Sequence, residues 1–158
     1  MKEKILLLLL YFLPFSGSLM AQVSISISKN TDMNFGTIAV SSGGGTVLLP
    51  ASGSRTPSGG LILPSFTGTV SAAQFTVTGE PGYSYAITLP IADFILYESG
   101  AGPATMVVNA FTSTPSATGT LTGGPETVLV GATLNVGASQ AAALYTNAAG
   151  FEVIVNYN

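Results

Sequence analysis

The stretch QVSISIS, residues 22–28, alternates without a break: Val23, Ile25 and Ile27 fall on one side of an extended chain and Ser24, Ser26 and Ser28 on the other. The chain closes on FEVIVNYN, residues 151–158, where Phe151, Val153, Val155 and Tyr157 share a face opposite Glu152, Asn156 and Asn158. A period of two is the mark of a half-buried β-strand. Each apolar face needs a cover, supplied either by the same chain or by a neighbouring molecule. These seven side chains, Val23, Ile25, Ile27, Phe151, Val153, Val155 and Tyr157, form the candidate strand-addition face.

Further strand-like runs occur at 33–40 (MNFGTIAV), 46–50, 73–79, 83–89, 105–111 and 127–137, most of them separated by clusters of Gly, Pro, Ser and Asn. That spacing predicts an all-β chain, an antiparallel immunoglobulin-like β-sandwich with Greek-key connections. The clearest turn is GEPGY at 79–83, in which Pro81 presets φ and Gly82 accepts the positive φ of a type II turn. It predicts a core hairpin with Phe75, Val77, Tyr85, Ile87 and Leu89 facing inward, together with Tyr83. One short helix is expected over ASQAAALY at 138–145 on alanine content alone. GSRTPSGG at 53–60 and SGAGPA at 99–104 read as exposed loops.

Lys2 and Lys4 precede the apolar run ILLLLLYFL, and small residues follow, so residues 1–21 read as a signal peptide cleaved after Ala21, with Ser18 as the alternative site. The apolar run is too short for a membrane span, which needs about 20 residues. The remainder, 22–158, suits one sandwich domain exported to the periplasm, outer surface or extracellular space. It contains two basic residues, Lys29 and Arg55, against six acids, for a net charge of −4. Without a basic stripe there is nothing to release counterions from phosphates, which argues against nucleic acid as a partner. Weak charge also leaves little long-range repulsion between copies, which favours self-association.

The sequence has no histidine and no cysteine. That removes the usual zinc and copper ligands and every Ser–His or Cys–His nucleophile, so no catalytic residue, cofactor or metal is expected. A carboxylate pair for glycoside hydrolysis would have to come from Asp93 with Glu98 or Glu126, which read more simply as solvated loop acids. Tyr83, Tyr97 and Tyr145 are the candidate platforms for a host or environmental glycan, against the plainer reading of packing residues. The glycine runs 43–45 and 58–60 lack the GK[ST] ending of a phosphate loop.

MNFGTIAV with the following GGGTVLL, AAQFTVTGEPGYSYAITLP, TLTGG, VLVGATLNVGASQAAALYTN and FEVIVNYN together resemble the secreted bacterial family called domain of unknown function 4402. The resemblance covers nearly all of 22–158. It implies an immunoglobulin-like sandwich exported by Gram-negative bacteria and brings no catalytic residues. The matching positions are Phe35, Gly36, Phe75, Val77, Gly79, Pro81, Gly82, Gly131, Leu134, Gly137, Val153, Val155, Asn156 and Tyr157. Where the family tends to have glycines around Tyr145, this chain has Ala143 and Asn147, and Asn147 is expected to supply a left-handed turn residue.

Three roles follow as expectations. The first is a structural or adhesive surface protein, fimbria-like, that assembles with itself or other surface proteins by strand addition. The second is a monomeric carbohydrate- or protein-binding module. The third, an outer-membrane barrel, fits poorly, because many strands are shorter than the 9 to 11 residues that a span needs.

Overall fold

The computed structural model describes residues 22–66, 68–100 and 102–158. The signal peptide read at 1–21 lies outside the described residues. The strands are β1 (Ser26–Thr31), β2 (Ala39–Val40), β3 (Gly45–Leu49), β4 (Thr56–Pro57), β5 (Leu61–Ile62), β6 (Ala73–Thr78) and β7 (Ser84–Thr88). They continue with β8 (Phe94–Glu98), β9 (Thr105–Thr114), β10 (Thr118–Thr120), β11 (Glu126–Val136), β12 (Tyr145–Thr146) and β13 (Ile154–Tyr157). All pairings among them are antiparallel, and no helix occurs among the described residues.

The large sheet runs β1-β6-β11-β9-β8-β12. β11 is long enough to serve two neighbours on one edge: Glu126–Val130 pair with β6, and Ala132–Val136 pair with β3. Gly131 sits at the changeover, where a Cβ would stand 2.3 Å from the Leu49 carbonyl oxygen, so no larger residue leaves room for the chain to cross. The second sheet is β10-β7-β13, and β2 pairs with β5 in a two-stranded ribbon. The chain is an antiparallel β-sandwich.

Two apolar clusters fill it. The first holds Phe75, Val77, Tyr85, Ile87, Leu121, Val128, Val130, Val153 and Val155 between β6, β11 and the β10-β7-β13 sheet. The second holds Phe35, Val47, Leu49, Leu61, Val108, Leu134 and Val136 beneath β3, β9 and the far half of β11. Met33 and Phe111 pack against both. Phe111 reaches that position through a bulge in β9, where Thr112 pairs Gly131 and Asn109 pairs Thr133, so that two residues oppose Ala132. The bulge puts Ala110 at φ 50.

Several expectations are corrected by this arrangement. The turn at 79–83 forms, with Gly82 at φ 84 and the Tyr83 amide donating to the Glu80 carbonyl at 3.4 Å. It does not close a hairpin. Both edges of β6 are already taken, by β1 and β11, so the turn carries the chain across to the other sheet, where β7 pairs with β10 and β13. The ladder of the first strand is with β6, Ile27 opposite Val77. MNFGTIAV is mostly irregular, since the Asn34 side chain accepts the Gly36 amide at 2.8 Å and Gly36 takes φ 65, leaving only Ala39–Val40 as strand.

The expected helix at 138–145 is a pair of bends. Ser139 has φ 51, and the Gln140 side chain accepts from the Gly137 amide and donates to the Thr105 carbonyl, which ties the segment to the start of β9. The stretch 53–60 is not all loop, since β4 pairs with β3. Arg55 ties it down by donating from Nη1 to the carbonyls of Phe35 and Thr37. The two glycine runs face each other, the Gly60 amide donating to the Gly44 carbonyl at 2.6 Å, and a Cβ on Gly45 would meet the Ser58 carbonyl at 2.1 Å. Their bareness serves backbone packing.

Candidate functional site

The seven residues of the strand-addition face divide between two sheets that face each other. Val153 and Val155 are buried, Ile25, Ile27, Phe151 and Tyr157 pack half-buried against the first cluster, and Val23 is 55% exposed. The cover that β1 requires is therefore found on its own chain, from the β7 and β13 side chains across the sandwich. β1 still lies at the edge of its sheet and pairs with β6 alone.

Before β1 the chain is held by two hydrogen bonds, and a third joins their two partners to each other. The Val23 amide donates to the Glu80 carboxylate at 3.3 Å, the Tyr157 hydroxyl donates to the Val23 carbonyl at 2.6 Å, and the Glu80 amide donates to the Tyr157 oxygen at 2.6 Å. Gly79 makes room for this latch, since a Cβ there would lie 2.5 Å from the Tyr157 hydroxyl. The Tyr157 ring is flanked by Tyr83 in an edge-to-face contact at 5.5 Å.

At the other end of β1 a cavity of about 340 Å³ opens between the end of β1, strands β8 and β9 of the same sheet, and the loop before β13. Its floor is Phe35 and Val108, both buried, and its walls include Met33, Phe94, Leu96 and Phe151. The polar lining residues are Lys29, Asp32, Thr146 and Asn147. Lys29 and Asp32 pair at 2.6 Å with both side chains largely in solvent, so the rim carries both signs of charge. Phe151 stands edge-on to Phe75 and Phe94 and against Phe111, at centroid distances of 6.3, 6.0 and 5.0 Å. On its far side lies a second hollow of about 370 Å³, lined by Leu89, Ile91, Glu152 and Ile154 among others.

The candidate acids do not converge. Asp93 and Glu98 flank the two ends of β8, roughly 17 Å apart at extended-chain spacing, against the roughly 5 to 9.5 Å of glycosidase pairs. Glu126 begins β11, two strands away. Each has a local partner: Asp93 accepts from Asn109, Glu98 from the Ala104 amide, and Glu126 from the Thr122 amide and hydroxyl. Among the described residues no three metal-ligating side chains come together. The tyrosines also stand apart: Tyr83 lies beside Tyr157, Tyr97 is 55% exposed on β8, and the Tyr145 hydroxyl donates to the Ala141 carbonyl.

Asn147 does not adopt a left-handed backbone, which corrects the reading of that turn. It works through its side chain, donating to the Ile95 carbonyl at 2.8 Å and accepting the Ala149 amide at 3.0 Å, while Gly150 supplies the positive φ of 67. Two ionisable groups are perturbed. Burial, with a smaller effect of the Glu126 charge, pushes the Tyr85 phenol above its ordinary range, and burial lowers the Arg55 guanidinium.

A family model for a domain of unknown function, DUF4402, matches residues 25–157. The chain belongs to this family. The match begins on the apolar face of the first strand at Ile25 and ends on Tyr157, so DUF4402 takes in both strands whose faces meet across the sandwich. No curated protein and no solved structure matches the chain. Among the described residues of this DUF4402 protein no helix is long and apolar enough to cross a membrane.

Sequence reasoning missed β8, and with it Phe94 and Leu96 of the cavity wall. The run FILY, 94–97, is continuously apolar rather than alternating, and its only signal was its position between two turn-rich stretches.

Proposed function

We propose that this DUF4402 chain is a non-catalytic exported surface protein with a structural or adhesive role, whose first strand is exchanged between copies. The observation that carries the reading is the position of β1: an edge strand bonded to β6 alone, with an alternating face that fills its own core. An identical strand from a second copy would meet the same register on β6, and such swaps are a low-cost route to homo-oligomers. The charge-poor surface supports close approach of copies. Export rests on the charged and apolar pattern of residues 1–21.

Light scattering of the protein 22–158 across a concentration range, beside a version starting at Met33, tests the reading. Strand exchange requires concentration-dependent oligomers of the longer protein that the shorter one does not form. Stable monomers from both would overturn it. The second reading, a monomeric module that binds a carbohydrate or protein, is favoured by the latch at Val23, which holds the first strand on its own chain.

A further inference from the structure

We propose that the cavity beside Phe151 is a binding site for a small, uncharged, largely aromatic molecule of one or two rings with a single hydrogen-bonding end. The cavity, about 340 Å³ and open to solvent at its rim, is roughly twice the 150 Å³ of an engineered apolar cavity that takes up benzene. It also lies within the range of about 300–1,000 Å³ that is usual for ligand sites.

The walls explain why the space stays open. Phe151 is wedged among three other phenylalanine rings, and the 147–150 turn that roofs the cavity is fixed at both ends of the Asn147 amide. Neither side can collapse inward without breaking these contacts. Phe35, Phe94 and Phe151 offer ring faces and edges at which an aromatic guest finds offset or edge-to-face partners.

The rim selects against ions. Lys29 and Asp32 neutralise each other at 2.6 Å, so neither an anion nor a cation gains an unmatched partner there. The Thr146 hydroxyl and the second N–H of the Asn147 amide remain suited to one polar group on a guest. Only Lys29 of the lining residues belongs to β1, so the site does not depend on strand exchange.

The test is a titration of the protein 22–158 with 2-naphthol, followed through the methyl NMR signals of Met33, Leu96 and Val108. Saturable shifts confined to these groups are expected, with a dissociation constant of about 0.1 to 1 mM. Two blocking variants control it: Leu96→Trp fills the cavity from the wall, and Ala148→Trp closes it from an exposed position that the fold does not need. Each should weaken binding at least about tenfold while the melting temperature of the second stays unchanged. Shifts that never saturate or spread over the surface would overturn the proposal, as would unaltered binding to Ala148→Trp and Leu96→Trp. Saturable binding of decanoate without binding of 2-naphthol would overturn the aromatic, uncharged class.

Discussion

The Tyr157 hydroxyl donates to the carbonyl of Val23 at 2.6 Å, joining the second-to-last residue to one 134 positions earlier. This bond links the two sheets at the edge where β1 and β13 approach each other, and the same oxygen accepts the Glu80 amide at the turn that crosses between them. One phenol therefore gathers the first strand, the last strand and the crossing. Its position explains how an edge strand with one ladder partner is kept in place: backbone pairing holds β1 to β6, and the latch holds its leading end to the opposite sheet.

Replacing Tyr157 with Phe removes both bonds and keeps the ring against Tyr83. Each hydrogen bond contributes about 1 kcal/mol, so a loss of about 1–2 kcal/mol is expected in urea denaturation. If the latch restrains exchange of β1, the variant also forms more oligomer at a given concentration. An unchanged midpoint would show that the two Tyr157 bonds carry no net stability.

Tyr85 is 1% exposed, and a Cβ on Gly119 would stand 2.3 Å from its ring. The ring is enclosed by the first cluster and cannot retreat. Gly119→Ala should therefore cost about 1–3 kcal/mol by overpacking. Gly124→Ala, with nothing within 4 Å of the added carbon, should change the unfolding free energy by less than about 0.5 kcal/mol.

The same phenol sets an alkaline limit. Its folded-state pKa lies above the ordinary value of 10.0, because burial and then the Glu126 charge disfavour the phenolate. A raised pKa contributes stability that is fully present below the unfolded value and is lost as pH rises from there through the folded value. Unfolding free energy measured against pH should thus fall above pH 10, and Tyr85→Phe should flatten that fall.

Ala110 occupies the left-handed region at φ 50 in the β9 bulge. An L-residue there costs about 1–2 kcal/mol, part of which glycine gives back through its greater unfolded-state entropy. Ala110→Gly should raise stability by up to about 1 kcal/mol in chemical denaturation. A destabilised variant would mean that the Ala110 methyl makes packing contacts that outweigh the backbone strain.

The alternating segments were legible because their period is local: β6, β7 and β13 fall within runs expected to be strands, and β1, β3, β9 and β11 overlap such runs and extend past them. What the sequence hid was nonlocal. The turn at Pro81 and Gly82 has the same residues whether the chain doubles back or crosses the sandwich, and only the occupancy of both β6 edges decides between them. Alanine content at 138–145 was overridden by side-chain bonds of Gln140 and Tyr145. The cavity draws on the end of β1, β8, β9 and the loop before β13, so no single stretch could announce it.

A peptide spanning residues 22–32 separates strand exchange from a permanently closed fold. In the protein starting at Met33 the β6 edge that pairs with β1 is bare, and the cover of Ile25 and Ile27 is lost from the first cluster. Each isoleucine supplies about 1.5–3 kcal/mol when fully buried, and half-burial places them toward the lower end. Val23, 55% exposed, adds less. The peptide should therefore restore the shortened protein to the melting temperature of the full chain, with measurable affinity by calorimetry. A control in which the serine and isoleucine positions are interchanged keeps the composition but turns the apolar face outward, because a one-residue slip reverses every side chain. It should fail. Equal rescue by both peptides would mean that the edge accepts any extended chain, and rescue by neither would leave β1 without a role as a transferable strand.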